Sequence, residues 1–145
     1  MNKPYITAIL AVTSLAFGTG AMAQNMSENE YKAAGKSIKA EYKSAKAGCD
    51  SFADNAKDIC MAVAKGNEKI SKAELEARYK PSKKAEYNVS VAKSEADYAA
   101  AKEKCDDKAG NVKDVCMEEA EAAFVHAKSD AKELCANKAK KHYGK

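Results

Sequence analysis

A segment of 23 residues occurs twice in the chain, and the two copies contain four of its five cysteines. Residues 42–64 read YKSAKAGCDSFADNAKDICMAVA and residues 98–120 read YAAAKEKCDDKAGNVKDVCMEEA, with 12 of the 23 aligned positions identical and no gap. The offset of 56 residues extends upstream, from Glu30-Tyr31 to Glu86-Tyr87, so the repeat unit is long. Both copies retain two cysteines around a turn, without a catalytic set of acid, base and nucleophile beside them.

The first 23 residues have the pattern of a secretory signal peptide. Lys3 supplies a positive charge, residues 6–17 form a short apolar segment, and Ala21-Met22-Ala23 is an A-x-A cleavage site before Gln24. The apolar segment is too short for a comfortable membrane span, and no later segment resembles one. We therefore predict that residues 1–23 are cleaved after Ala23, which leaves a soluble periplasmic protein without a transmembrane segment.

The remaining 122 residues, 145 less 23, are rich in alanine and lysine and poor in large apolar side chains. Ile, Leu, Val, Met, Phe and Tyr together number 22 after residue 23, and Trp is absent. Because Ala, Lys and Glu lose little on entering a helix, the composition favours an all-α fold. The core that it can build is small, so stability should depend on close packing around alanine and on covalent links.

The periodicity and the turn residues predict two tandem helical hairpins and no strand. The second helix of each hairpin is predicted to be capped by an asparagine, Asn55 in the first repeat and Asn111 in the second. Pro81 ends the first hairpin. It separates repeat 1, residues 24–81, from repeat 2, residues 82–145, which includes a basic C-terminal tail. Two arrangements of the hairpins, each held by the disulfide argued below, fit this pattern: a four-helix bundle and an extended pair.

Apolar residues at helical spacing give each helix a predicted packing face. In the first helix this face includes Phe52, in the second helix Val63, and in the fourth helix Val115 and Leu134. Gly66 interrupts the second helix, where a kink or a break is expected. The repeated tyrosines are assigned to packing positions between helices: Tyr31, Tyr42, Tyr87 and Tyr98.

Each repeated cysteine pair is placed symmetrically about its turn. Cys49 and Cys60 flank the first turn at equal distances, so they lie level and face each other in an antiparallel hairpin. A disulfide requires Cα atoms within about 7 Å, which small neighbouring side chains permit. Export to an oxidising compartment favours structural disulfides, Cys49–Cys60 and Cys105–Cys116. The alternative, metal ligands or a redox pair, does not fit ten intervening residues.

Cys135 is the fifth cysteine, and the repeat supplies no partner for it. A leftover cysteine in an exported protein indicates a free thiol or an intermolecular disulfide, and the latter would form a dimer. A small buried residue beside Leu134 is the third interpretation. His142 would share the helix face of Cys135, but one thiol and one imidazole make a poor metal site, so no metal or other cofactor is predicted.

Charged residues are numerous but nearly balanced. Without Lys3 the 25 basic residues become 24, against 21 acidic residues, and Arg78 is the only arginine. The two signs are interspersed at helical spacing, which is typical of a solvated helix surface. A nucleic-acid site would need clustered arginine and stacking aromatics, so we predict no nucleic-acid partner.

Three phrases of the sequence carry a resemblance: AKAGCDSFADNAKDICMAVAKG, KAELEARYKPS and AKEKCDDKAGNVKDVCMEEA. They are similar to those of small, exported, lysine- and alanine-rich proteobacterial proteins of unassigned function, some of them labelled loosely as Tol-like cell-envelope proteins. The resemblance covers nearly all of the chain after residue 23. It implies an envelope location and a helical fold, and it brings no catalytic residue with it.

These observations lead to a hypothesis about function. We expect a non-enzymatic periplasmic structural or protein-interaction module of the cell envelope, which binds a protein partner or a second copy through its helical faces. The alternative is a thiol-based stress-response or metal-buffering protein that uses Cys135 with a histidine, or reducible hairpin cysteines. An enzyme is not expected, because the two histidines come with no pocket-forming motif.

Overall fold

The computed structural model describes the backbone of residues 26–143 and the side chains of residues 26–137. The predicted signal peptide lies outside the described residues, as do the side chains of the basic tail and of His142. The described chain contains four α-helices and no strand, so the all-α prediction is confirmed. The helices are α1 (Glu28–Gly48), α2 (Asp54–Tyr79), α3 (Lys83–Asp106) and α4 (Gly110–Tyr143), with a 3-10 turn after α1 (Cys49–Ser51).

Serine side chains cap the N-termini of α1 and α3. Ser27 and Glu30 form a capping box: the Ser27 Oγ accepts from the Glu30 N–H at 3.3 Å, and a Glu30 carboxylate oxygen accepts from the Ser27 N–H at 2.8 Å. Hydrogen bonds from Ser27 lower the pKa of Glu30, because they stabilise its charged form. Ser82 caps α3 by accepting from the Ala85 N–H at 3.0 Å. The hairpins are joined at Pro81, as predicted.

The asparagine caps predicted for α2 and α4 are wrong. α2 begins at Asp54 and α4 at Gly110, in each case one residue before the asparagine. Asp54 and Gly110 occupy the same position of the repeat, and both have positive φ, 48° and 54°. Gly adopts this left-handed conformation freely and Asp tolerates it, and in both repeats it marks the point where the chain leaves the turn and enters the helix. Asn55 is free to bond elsewhere, and its side-chain N–H donates to the Glu103 backbone carbonyl of α3 at 2.7 Å.

The helices pack antiparallel in the order of the chain. Within the described residues α1 packs on α2, α2 on α3 and α3 on α4, and α1 does not contact α4. The two hairpins therefore dock through their inner helices, while α1 and α4 are outer helices with one neighbour each. The up-and-down order places both hairpin turns, residues 49–54 and 106–110, at the same end of the molecule. We call it the stapled end.

Gly66 neither kinks nor breaks α2, which is continuous from Asp54 to Tyr79. The residue is buried, and a Cβ added to it would lie 2.7 Å from the Ala96 Cβ and 3.2 Å from the Ala96 Cα. Side-chain carbons do not approach so closely, so glycine is what allows α2 and α3 to meet at this point. The residue predicted to interrupt the helix instead joins the two hairpins.

Small residues fill most of the interior. Four large apolar residues predicted on packing faces are exposed instead, Phe52 by 51%, Val63 by 42%, Val115 by 52% and Leu134 by 63%. The reason in α4 is that an outer helix has only one neighbour to cover its apolar residues. Tyr98 packs between helices as predicted, stacked on Phe124 with ring centroids 4.9 Å apart. Among the side chains that the structure describes, the buried apolar residues are Ile38, Cys49, Ala64, Leu75, Ala85, Ala92, Cys105, Ala120 and Ala131.

Candidate functional site

Two disulfides close the hairpin turns at the stapled end. Cys49 bonds to Cys60 and Cys105 bonds to Cys116, each with a Cα–Cα distance of 5.6 Å and a sequence separation of 11 residues. The predicted pairing is confirmed. Cys49 and Cys105 are fully buried. Each disulfide joins the end of one helix to the second turn of the next, and so fixes the angle at which the two helices leave the turn.

An ion pair accompanies each disulfide. The Lys57 Nζ lies 2.9 Å from an Asp50 carboxylate oxygen, and the equivalent atoms of Lys113 and Asp106 are 2.8 Å apart. The hydrogen bond from Lys57, followed by its charge, lowers the pKa of Asp50. The hydrogen bond to Asp106, followed by its charge, raises the pKa of Lys113. All four side chains are at least 40% exposed, so solvent screens the pairs and they add little stability.

The stapled end exposes apolar side chains beside these disulfides. Phe52 is 51% exposed in the first turn, and Val112 is 63% exposed at the start of α4. Val112 and Val115 line a shallow depression together with Cys116 and Glu119. A backbone that is already fixed by a disulfide loses little further freedom when a partner covers its side chains. The arrangement is suited to binding a protein surface.

A groove lies over α2, between α1 and α3, and has a volume of about 570 Å³. Its rim carries charges of both signs, including the ion pair between Lys69 of α2 and Glu95 of α3. The lining combines small residues with two larger side chains and with charged groups. The groove is lined by Tyr42 of α1, by Met61, Ala62 and Gly66 of α2, and by Ala96 and Ala99 of α3.

The end opposite the staples is held by aromatic packing in the first hairpin. The Tyr31 and Tyr79 rings stack with centroids 4.3 Å apart, and the Tyr31 hydroxyl donates to a Glu76 carboxylate oxygen at 2.8 Å. This hydrogen bond to a carboxylate raises the pKa of Tyr31. In the second repeat the 56-residue offset puts Cys135 at the position of Tyr79. The odd cysteine therefore occupies a packing position, with no ring for Tyr87 to stack on there.

Cys135 lies at the end opposite the four bridged cysteines. Its thiol donates to the Lys83 backbone carbonyl, with the sulfur 3.7 Å from the oxygen. The side chain is half-buried and shares a small depression with Val89, Ser90 and Leu134. The thiol is unpaired within the chain. A dimer through Cys135 stays a prediction.

Two residues that join the hairpins were not predicted to do so from the sequence. Asn55 was assigned to a cap, and Gly66 to an interruption, whereas both contact α3. One signal was present for Gly66, because the second repeat has Ala122 at the equivalent position. A glycine inside one copy of a helix and an alanine in the other indicates that only the first copy is closely approached by a neighbour.

Within residues 26–137, no group of three or more His, Cys, Asp and Glu side chains is arranged to hold a metal ion. None of the described helices combines the length and the apolar character needed to cross a membrane. No protein family model, curated protein or solved structure matches the chain. The fold and the disulfides define the class, an all-α protein of two stapled helical hairpins, and its function is inferred from its surfaces.

Proposed function

We propose that the protein is a non-enzymatic structural or protein-interaction module of the periplasm, with the stapled end as a binding surface. The observation that carries this proposal is the exposure of Phe52, Val112 and Val115 on or next to turns fixed by disulfides. Scattered apolar residues are common on protein surfaces. Here both hairpins present them at the same end, on a rigid backbone, which favours recognition by a protein partner.

The periplasmic location is supported by the covalent structure together with the sequence. Disulfides form and persist in oxidising compartments, and two of them close this small helical protein. Residues 1–23 have the pattern of an export signal. Cell fractionation followed by N-terminal sequencing tests this part of the proposal. The expected result is a periplasmic protein that begins at Gln24, and an intact N-terminus in the cytoplasm would contradict it.

Site-specific cross-linking tests the binding surface. A photoreactive amino acid at position 112 should capture one discrete envelope protein in living cells, which mass spectrometry can identify. The purified partner is then titrated against Phe52→Ser and Val112→Ser variants. We expect each to weaken binding by roughly tenfold, which corresponds to about 1.4 kcal/mol.

Leu134→Ser is the matched control, because Leu134 is also 63% exposed but lies at the opposite end of the molecule. It should bind the partner as well as the parent does. Equal affinity of all three variants, or an equal cross-linking pattern from positions 112 and 134, would argue against the stapled end as the binding surface.

The free, half-buried thiol of Cys135 favours a second candidate function, thiol-based stress response or metal buffering. Titration with Zn²⁺ and Cu⁺ of the oxidised and reduced protein separates this candidate from the first. Metal buffering requires tighter binding than that of a variant in which all five cysteines are serine. Equal binding by the cysteine-free variant would exclude it.

A further inference from the structure

The interface between the hairpins provides a template for a second interface. α2 and α3 meet where Gly66 approaches Ala96, and only small side chains fit at that point. Polar contacts join the two antiparallel helices on either side of this point. They are the ion pairs Lys69–Glu95 and Glu74–Lys93, the second with 2.9 Å between nitrogen and oxygen, and the hydrogen bond from Asn55 to the Glu103 carbonyl.

The 56-residue offset maps both sides of this interface onto helix faces that lie on the outside of the described structure. The α2 face maps onto α4, and the α3 face maps onto α1. We define the outer α4 face by Asn111, Val115, Glu118, Ala122 and Glu133, all of them exposed. We define the outer α1 face by Ala33, Lys36, Ala40, Lys43 and Ala47, which are also exposed.

The two outer faces carry opposite charge. The outer α1 face has two lysines and no acidic residue, whereas the outer α4 face has two glutamates and no basic residue. Lys36, Lys43, Glu118 and Glu133 form no ion pair within the described part of the chain. Each face therefore has unpaired charge that the other face can neutralise.

We propose that a second copy of the chain covers these faces, with the outer α4 face of one copy against the outer α1 face of the next. α1 and α4 run in opposite directions, so this contact repeats the antiparallel arrangement of α2 and α3. In the template register Ala122 opposes Ala40, and Glu118 comes level with Lys43. The inference goes beyond the proposed function, because it adds a contact between copies of the chain along the outer faces of α1 and α4.

The contact is heterologous, because it joins two different faces. After two copies associate, one outer face of each kind remains free, so a third copy can add in the same way. Association that continues beyond the dimer with rising concentration is therefore expected, in contrast to a dimer closed by a Cys135 disulfide.

The template also predicts that this contact is weaker than the one inside the chain. Ala122 stands where α2 has Gly66, and at the internal spacing its Cβ would come too close to the opposing alanine. The helices must sit farther apart, so fewer atoms are in contact. Attraction then depends largely on the opposite charges of the two faces, with Glu118 level with Lys43, and salt screens exposed charges of this kind. We expect reversible association that weakens as salt is added.

Charge reversal with mixing tests the proposed pairing. Three proteins are compared by sedimentation velocity at low salt over a concentration series. The parent carries Cys135→Ser. Two variants of this parent reverse the charge of one face each, Lys36→Glu/Lys43→Glu and Glu118→Lys/Glu133→Lys. The parent should form dimers and larger species. Each double variant should need at least roughly tenfold more protein for half-association, because like charges then face each other. An equimolar mixture of the two should associate as the parent does.

A glycine substitution tests the register independently of charge. Ala122→Gly should lower the concentration of half-association severalfold, because it restores the close approach that Gly66 permits. Ala123→Gly is the matched control: it removes the same methyl group from the same exposed stretch of α4, next to the outer α4 face. Circular dichroism of both variants separates the cost of glycine in a helix from the effect on association.

Three results would overturn the inference: a parent that stays monomeric at all concentrations, association that resists both charge reversals, and mixing that fails to restore it. Helical content of each variant, checked by circular dichroism, excludes unfolding as the cause. The proposed function has its own readout in the cross-linking at position 112. A monomeric parent with a cross-linked envelope partner would leave the proposed function in place and remove self-association alone.

Discussion

Gly66 and Ala122 occupy the same position of the repeat but have different surroundings. Gly66 is buried against Ala96 of α3, and Ala122 is exposed on the outside of α4. Glycine inside a helix costs about 1 kcal/mol relative to alanine. In α2 this cost is offset by the close packing of two helices, and in α4 no described neighbour requires it.

We predict that Gly66→Ala lowers the stability by about 1–3 kcal/mol, because the added methyl group meets the Ala96 backbone and side chain and forces the helices apart. The better helix propensity of alanine offsets part of the loss. Gly35→Ala is the control, since a Cβ there meets only the Leu75 side chain at an ordinary 3.9 Å. It should raise stability by up to about 1 kcal/mol. Urea unfolding of both variants measures the difference, and an equal change in both would contradict the clash.

The Asp50–Lys57 pair predicts a weak dependence of stability on pH. The pair lowers the pKa of Asp50 in the folded state below its ordinary value of 3.8. Its contribution is therefore complete above the unfolded-state pKa and is lost as the pH falls through the folded-state pKa. Asp50→Asn should lower Tm by about 1–2 °C near pH 6, because the pair is exposed, and should leave Tm unchanged at acid pH below both pKa values. Thermal melts from pH 2 to 7, with Asp97→Asn as control, check this. A constant difference at every pH would argue against the ion pair as its source.

At the scale of the helices, the stapled turn is the unit that the two repeats share. Both turns contain a disulfide, a residue with positive φ and an ion pair at equivalent positions. The helices that leave the turns differ more, since the first hairpin closes its far end with stacked tyrosines and the second has Cys135 there. The covalent turn is thus the same in both repeats, whereas the packing at the far ends of the hairpins differs.

Removing one disulfide should cost about 3 kcal/mol, because each closes a loop of about a dozen residues in the unfolded chain. We expect Cys49→Ser/Cys60→Ser and Cys105→Ser/Cys116→Ser to lower the unfolding midpoint by similar amounts. Cys135→Ser should scarcely change it, since that thiol is unpaired within the chain. Denaturant unfolding of the three variants provides the measurement. Equal midpoints in all three would show that the disulfides do not stabilise the fold.

At the scale of the whole molecule, the open order of the helices distinguishes this protein from a closed bundle. α2 and α3 are each covered on two sides, and α1 and α4 on one side, in the described part of the chain. Stability in such a linear arrangement is close to a sum over neighbouring contacts, so it should differ between inner and outer helices.

Hydrogen exchange should reveal this difference. Backbone amides of α2 and α3 are expected to exchange more slowly than those in the far halves of α1 and α4, away from the disulfides. Mass spectrometry of peptides from exchanged protein checks the order at a resolution of a few residues. Uniform protection of all four helices would mean that the chain unfolds as one unit, despite its open arrangement.

The features that the sequence predicted correctly depend on local chemistry or on the internal repeat. Alanine and lysine favour helix wherever they are placed, and Pro81 lies between the two hairpins. The disulfides were predictable because Cys49 and Cys60 are equidistant from a turn, which puts them level in any antiparallel hairpin. None of these inferences required knowledge of how the hairpins dock.

What only the tertiary structure decided is which surfaces meet. Asn55 bonds across to α3 because α3 returns to the stapled end, and Gly66 is needed because α3 packs closely there. Val115 has the same periodicity as a core residue, yet it is exposed because α4 has no second neighbour in the described structure. Periodicity states that a face is apolar, whereas burial depends on whether another helix arrives to cover it. Whether a helix arrives depends on contacts between residues that are distant in the chain, and a local sequence pattern carries no information about such contacts.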